Sequence, residues 1–198
     1  FENLNWPKKT ILMQKNWIGK SQGSTIFFNV EGSSEKIEVF TTRPDTIFGV
    51  TYIVLSPEHS LVEKLNLKSN SDIKSYCDSA SKKSELQRTD LDKNKTGICS
   101  GHNALNPLTK KSIPIWIGDY VLSNYGTGAV MAVPGHDQRD FDFAKTYNLD
   151  IVKVVDNGKN IPVDEEAFTE DGYNVNSDFL NNLDTNTAKK EIIKYFVG

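Results

Sequence analysis

Apolar and polar positions alternate along "TIFFNV" (25–30) and "KIEVF" (36–40), the period of a strand with one buried face. The polar "EGSSE" between them reads as a hairpin turn. "VTYIVLS" (50–56) is a third strand, rich in β-branched and aromatic residues. The period then becomes helical in "PEHSLVEKLN" (57–66), with Pro57 near the helix start. "SNSDIKSYCDSASKKSELQRTD" (69–90) predicts one polar, amphipathic helix with a Ser69 or Asn70 cap. "TGICSGHNALNPLTKKSIPIWIGDYVL" (96–122) reads as strand, turn and strand, with Pro107 and a lysine pair at the turn. "GTGAVMAVP" (126–134) is an apolar strand entered through glycines, and "GHDQRDFDFAKTYNL" (135–149) a helix repeating Phe141, Ala144 and Tyr147 or Leu149. "DIVKVVD" (150–156) is expected as another strand, followed by a turn, a short strand and a final amphipathic helix.

Ahead of the first hairpin, Trp6-Pro7 blocks helix, so the chain should enter through an irregular stretch, a short helical turn and the start of a strand. Strands outnumber helices and are often joined by hairpins. The expected fold is α/β, a mixed, largely antiparallel and barrel-like sheet with peripheral helices. No internal repeat or linker stands out, so residues 1–198 read as a single domain. Its two ends, 1–20 and 185–198, are expected to lead elsewhere.

Hydrophobic residues make up 37% and charged residues 25%, an ordinary balance for a globular domain that buries its own core. The net charge of -3 argues against a broad nucleic-acid surface, which would be strongly basic, but not against contact with one strand end. Cys77 and Cys99 form neither a disulfide framework nor a zinc signature, and no apolar run approaches a membrane span. The sequence starts at Phe1 rather than Met, so a missing leader carries no weight.

Several chemical motifs fail. His136-Asp137 suggests a metal site, but only His59 and His102 remain to complete one. Gly126-Thr127-Gly128 lacks the spacing and the Lys-Ser/Thr of a phosphate loop, and its glycines are better explained by a close backbone approach. No nucleophile elbow is present. Two segments carry more. In "GHDQRDFDFA", Asp137 and Asp140 share a face at a helix start, where the helix dipole favours ionised carboxylates. A cap and a first-turn acid explain both residues without a ligand; an ionised Asp at the lip of a pocket could equally hold an ammonium group. In "VFTTRPDTIFGV", Pro44-Asp45 supplies a turn, but a turn does not require Thr41, Thr42, Arg43 and Thr46 together.

Taken together, "NWIGKSQG", "FTTRPDTIFGVTYIVLSPEH", "NPLTKKSIPIWIGDYVLSNYGTGAVMAVPGHDQRDFDFAK" and "TEDGYNVNS" resemble the editing domain of leucyl-tRNA synthetases, called connective peptide 1, of the bacterial and organellar type. Valyl- and isoleucyl-tRNA synthetases carry related domains with a similar threonine-rich signature, and "IPIWIGDYVL" and "GTGAVMAVPGHDQRD" favour the leucyl member. A binding-only module for an RNA end is the other alternative. The HIGH and KMSKS signatures of the aminoacylation site are not in the chain, so the resemblance implies the editing domain alone. It implies ends joined to the catalytic body of the same synthetase, ATP used only by that body, and a cytoplasmic or organellar location.

The implied activity is hydrolysis of tRNA(Leu) mischarged with norvaline, isoleucine or methionine, needed because one methylene discriminates by only about 10- to 200-fold. The partner is the 3′ end of the aminoacylated tRNA(Leu), and neither a metal nor an organic cofactor is implied. By the resemblance, Asp140 binds the α-ammonium and Thr46 crowds out leucine. Thr41, Thr42 and Arg43 surround the terminal adenosine and the ester, with Arg43 contacting the nucleotide or bracing the loop. Tyr125, Met131, Val133 and His136 line the amino-acid pocket and its rim, with Asp137 at the lip.

Overall fold

The computed structural model describes residues 7, 23–89, 95–124, 126–158 and 165–197. The opening stretch before Gly23 therefore lies outside the described residues, apart from Pro7, as does Tyr125. A six-stranded sheet is formed by β1 (Ser24–Val30), β2 (Lys36–Thr41), β3 (Tyr52–Leu55), β4 (Gly97–Leu105), β5 (Ser112–Gly118) and β6 (Ala129–Ala132), in the order β2-β1-β4-β5-β3-β6. Every neighbouring pair is antiparallel except β3 with β5. The expectation of a largely antiparallel mixed sheet holds. The sheet is not closed: its two edge strands, β2 and β6, approach each other without hydrogen-bonded pairing.

The hairpin behaves as its alternation requires. Ile26, Phe28 and Val30 of β1 and Ile37 and Val39 of β2 face one core, while Phe27 and Phe40 face outward. All four residues of β3 are buried because the strand separates two cores. Ile53 and Leu55 join the main cluster, and Tyr52 and Val54 face a second one with Phe143 and Ala144. Those last two belong to the helix α4 (Gln138–Tyr147), which covers that side of the sheet. Burying a ring such as Phe143 contributes roughly 1.5–3 kcal/mol. The C-terminal helix α5 (Thr185–Val197) packs Ala188 and Ile192 into the main core.

Three expectations are corrected. Residues 69–90 do not form one helix. After the short α1 (Ser60–Lys64), α2 (Ser71–Ala80) and α3 (Glu85–Thr89) are separate, and Asp90 lies outside the described residues. The link between α2 and α3, Ser81 to Ser84, has no apolar residue to bury. Ser84 restarts the helix as a capping box: its Oγ accepts from Gln87 N and Gln87 Oε1 accepts from Ser84 N, at 3.2 and 2.9 Å. Only Val155–Asp156 of "DIVKVVD" is a strand, β7, paired with β8 (Tyr173–Asn174). Upstream the backbone bonds a side chain instead, because Val154 N–H donates to His136. Pro44-Asp45 is not a tight turn but the start of a 3-10 helix, Pro44–Gly49.

Candidate functional site

The two motif segments meet at the unclosed seam. The end of β2 brings Phe40 to Arg43, and the end of β6 with the start of α4 brings Val130 to Asp140; between them lies a cavity of about 260 Å³. That is just below the usual range for ligand pockets. Thr41, Thr42, Arg43, Thr46, Met131, Val133, His136, Asp137 and Asp140 all border it. Every site residue expected from sequence is therefore gathered in one place, except Tyr125, which lies outside the described residues. Phe40, Val130 and Arg139 also border the cavity without having been singled out.

The threonine-rich wall is held by its own backbone. Thr41 Oγ1 accepts from Arg43 N–H at 3.0 Å, which closes the end of β2. Thr46 is buried, and its hydroxyl donates to Arg43 O at 2.9 Å. Arg43 braces the loop: its Nε and Nη2 grip the fully buried Asp45 carboxylate at 2.9–3.3 Å. The brace continues through two distant asparagines. Asn106 Nδ2 donates to Ile47 O and Asn174 Nδ2 to Asp45 O, each at 2.9 Å. This explains why "NPLT" and "GYNVNS" accompany the threonine segment: they hold its carbonyls. Gly49 lets the 3-10 helix press on the opposite wall, since a Cβ there would fall 2.8 Å from Val154 Cγ2 and 3.2 Å from Val133 Cγ1.

The acidic wall is a capped helix start. Asp137 Oδ1 accepts from Arg139 N–H and Asp140 N–H, and Arg139 Nη2 pairs with Oδ2 at 3.3 Å. Asp140 is buried. Its Oδ2 accepts from Val133 N–H at 2.9 Å, and its backbone carbonyl accepts the Tyr52 hydroxyl at 2.9 Å. Burial, then the charge of Asp137, push Asp140 up to about 7, against the pull of Val133 N–H and Arg139. The cap and the pocket carboxylate thus coexist at one helix start.

His136 offers the pocket a ring and no free polar atom. Its Nε2 accepts from Val154 N–H and Val155 N–H at 2.8 and 3.0 Å, so the proton sits on Nδ1, which donates to Phe168 O at 2.8 Å. Burial pushes it down to about 4, the Phe168 bond opposing and the Arg43 charge assisting. It shapes the wall by tying three backbone segments together.

These two shifts act oppositely on stability. His136 sits below its ordinary 6.5, so the unfolded chain takes the proton first; stability falls as pH drops from 6.5 toward about 4 and is flat below. Asp140 sits above its ordinary 3.8; its contribution is full below that value and is lost as pH rises through about 7. The windows overlap and the effects offset. Asp140→Asn should unmask the histidine, whose gap is worth about 3 kcal/mol at 1.36 kcal/mol per pKa unit. The variant should be most stable near about pH 8 and lose stability steadily toward about pH 4, more steeply than wild type, in which Asp140 offsets the fall. Urea unfolding of both proteins across that range checks this, and parallel pH profiles would refute it.

No helix among the described residues is long and apolar enough to cross a membrane, and among them no three His, Cys, Asp or Glu side chains group as a metal would require. A family model for the editing domain of leucyl-tRNA synthetase matches residues 15–197. The leucine–tRNA ligases of Borrelia hermsii (strain HS1 / DAH) and Borrelia turicatae (strain 91E135) are 53% and 52% identical over 98% of this chain. The chain spans 23% of the length of each. Among solved structures, the ternary complex of Agrobacterium radiobacter K84 agnB2 LeuRS-tRNA-LeuAMS matches with a TM-score of 0.72 and 31% identity, over 99% of this chain and 21% of that one. With the family model running almost end to end and both of the motif segments facing one cavity, the chain belongs to the leucyl-tRNA synthetase editing-domain family.

Proposed function

We propose that this domain hydrolyses the ester of tRNA(Leu) carrying a near-cognate amino acid such as norvaline, isoleucine or methionine, as the editing part of a longer leucine–tRNA ligase. The observation that carries the reading is the meeting of the two motif segments around one small cavity with two unlike walls. Met131, Val133 and Val130 offer an apolar side for an unbranched or branched side chain, and Asp140 with Asp137 an acidic side for the α-ammonium. The hydroxyl-bearing lip of Thr41 and exposed Thr42 stands where the ester and its adenosine would enter. Arg43 acts by bracing that lip through Asp45. The tRNA in the matched Agrobacterium complex supports the choice of partner. The rest of the synthetase holds the body of the tRNA, in the cytoplasm or an organelle, and ATP serves only the synthetic site.

The chemistry is attack of water on the ester carbonyl, made fast by placement. The ammonium is fixed on Asp140 and the side chain against Thr46, so the carbonyl faces the hydroxyl lip. No protein nucleophile or cofactor enters this scheme. Release of labelled isoleucine from isoleucyl-tRNA(Leu), by the domain or its parent synthetase, tests it: a binding-only module would leave the ester intact, and a valyl- or isoleucyl-type site would prefer threonyl- or valyl-tRNA. Chelation is the companion test. EDTA should leave the rate unchanged; reversible loss restored by zinc or magnesium would make the water-and-placement scheme wrong.

A further inference from the structure

Phe40 is a large apolar side chain with 45% of its surface exposed at the rim of the cavity. The strand alternation turns it outward, since Ile37 and Val39 take the core side of β2. Yet the ring does not hang loose. It lies across Gly23, where a Cβ would fall closest to the Thr41 carbonyl of the paired strand and then 2.5 Å from Phe40 Cζ and 2.9 Å from Cε2. A residue with no side chain is what lets the ring rest on backbone there, so one part of the ring is seated and the exposed part borders the cavity. Phe27, on the neighbouring strand, is 52% exposed but does not border the cavity. A single exposed phenylalanine needs no explanation; one that is seated on a glycine at the mouth of a reaction pocket does.

We propose that Phe40 is a stacking platform for the nucleobase of the nucleotide that carries the ester. The inference rests on the proposed hydrolysis of aminoacyl-tRNA and deepens it. The cavity itself is filled from two sides by the apolar and acidic walls that suit an amino acid, and its rim on the β2 side is aromatic. A flat ring at that rim recognises an unpaired base by its π-face and needs no broad basic surface, which the net charge of -3 argues against. The platform would set the rotation of the nucleoside about the ester and hold the carbonyl toward Thr41 and Thr42. Phe40 is a binding and positioning residue, not a reacting one.

The test uses norvaline joined by a stable amide to 2-aminopurine riboside, whose fluorescence falls when its base stacks, and a second probe in which the ribose carries no base. Wild type should bind the first probe with quenching. Phe40→Ala and Phe40→Leu should bind it about 5- to 150-fold more weakly and without quenching, the effect of removing such a platform. Phe40→Tyr should restore both, and Phe27→Ala should match wild type. All the variants should bind the baseless probe as wild type does. Undiminished affinity and quenching in Phe40→Ala would overturn the proposal, and so would an equal loss on the baseless probe, which would make the ring a mere support of the pocket. If wild type binds neither probe, the hydrolytic reading itself fails and the platform with it.

Discussion

Asp140→Asn should slow release of isoleucine from mischarged tRNA(Leu) by about 10- to 150-fold, the rate equivalent of one charge-assisted hydrogen bond of roughly 1.5–3 kcal/mol. Asparagine preserves the shape and can still accept the Val133 N–H bond, which holds the start of α4 to the end of β6. What it removes is the charge that would meet the α-ammonium. At about pH 8 that charge is a burden on the empty fold, because burial holds the carboxyl up near about 7. The variant should therefore melt no lower than wild type while losing activity, a pairing that a structural cap does not produce. The pH profile supplies a second readout. In wild type KM should improve as pH rises through about 7, as the carboxylate becomes available, and in the variant this dependence should vanish. Near wild-type deacylation by Asp140→Asn would remove the residue from the site, and unfolding would assign it to the fold alone.

The alternation of β1 and β2, and the helical period of α4, were legible because each element has one face in water. Where the competition was between side-chain and backbone partners, pattern alone misled. "DIVKVVD" reads as a strand throughout, but His136 takes the N–H of Val154 and only the last two residues pair as β7. The break between α2 and α3 had a readable signal in Ser84 and Gln87, three apart, which a long polar run disguised. The site divides in the same way. Asp137, Asp140, Thr41, Thr42 and Thr46 stand out locally, as hydroxyls and acids where a turn or a cap needs fewer. Asp45, which grips Arg43, reads as an ordinary turn residue, and Asn106 and Asn174 lie far along the chain from the carbonyls they hold. Phe40 reads as one more strand residue, because its meaning depends on Gly23 beneath it and on the cavity beside it. Nothing in the alternation tells that β2 and β6 stop short of pairing, and that gap is the space in which the site forms.

Thr46 sits at the floor of that gap and should be the gate against leucine. It is 1% exposed and borders the cavity, so any group added to the substrate there meets packed protein. Its rotamer is fixed twice. A β-branched side chain is stiff at χ1, and the hydroxyl is committed to Arg43 O at 2.9 Å, which leaves the methyl in one place. A leucine side chain carrying a δ-methyl into that place would be overpacked, at a cost of about 1–3 kcal/mol. Thr46→Ala removes the obstacle, and hydrolysis of correctly charged leucyl-tRNA(Leu) should rise by about 5- to 150-fold while isoleucyl-tRNA(Leu) is still cleared. Thr46→Val keeps the methyl and gives up only the hydroxyl, so it should go on sparing leucine; this separates a steric gate from a polar one. Thr46→Tyr should fill the cavity and block both substrates. The measurement is release of labelled leucine and isoleucine from tRNA by wild type and the three variants, within the full synthetase if the domain alone is slow. Should Thr46→Ala spare leucyl-tRNA as completely as wild type does, Thr46 is only the hydroxyl that closes the Pro44–Gly49 helix, and leucine is excluded by another wall.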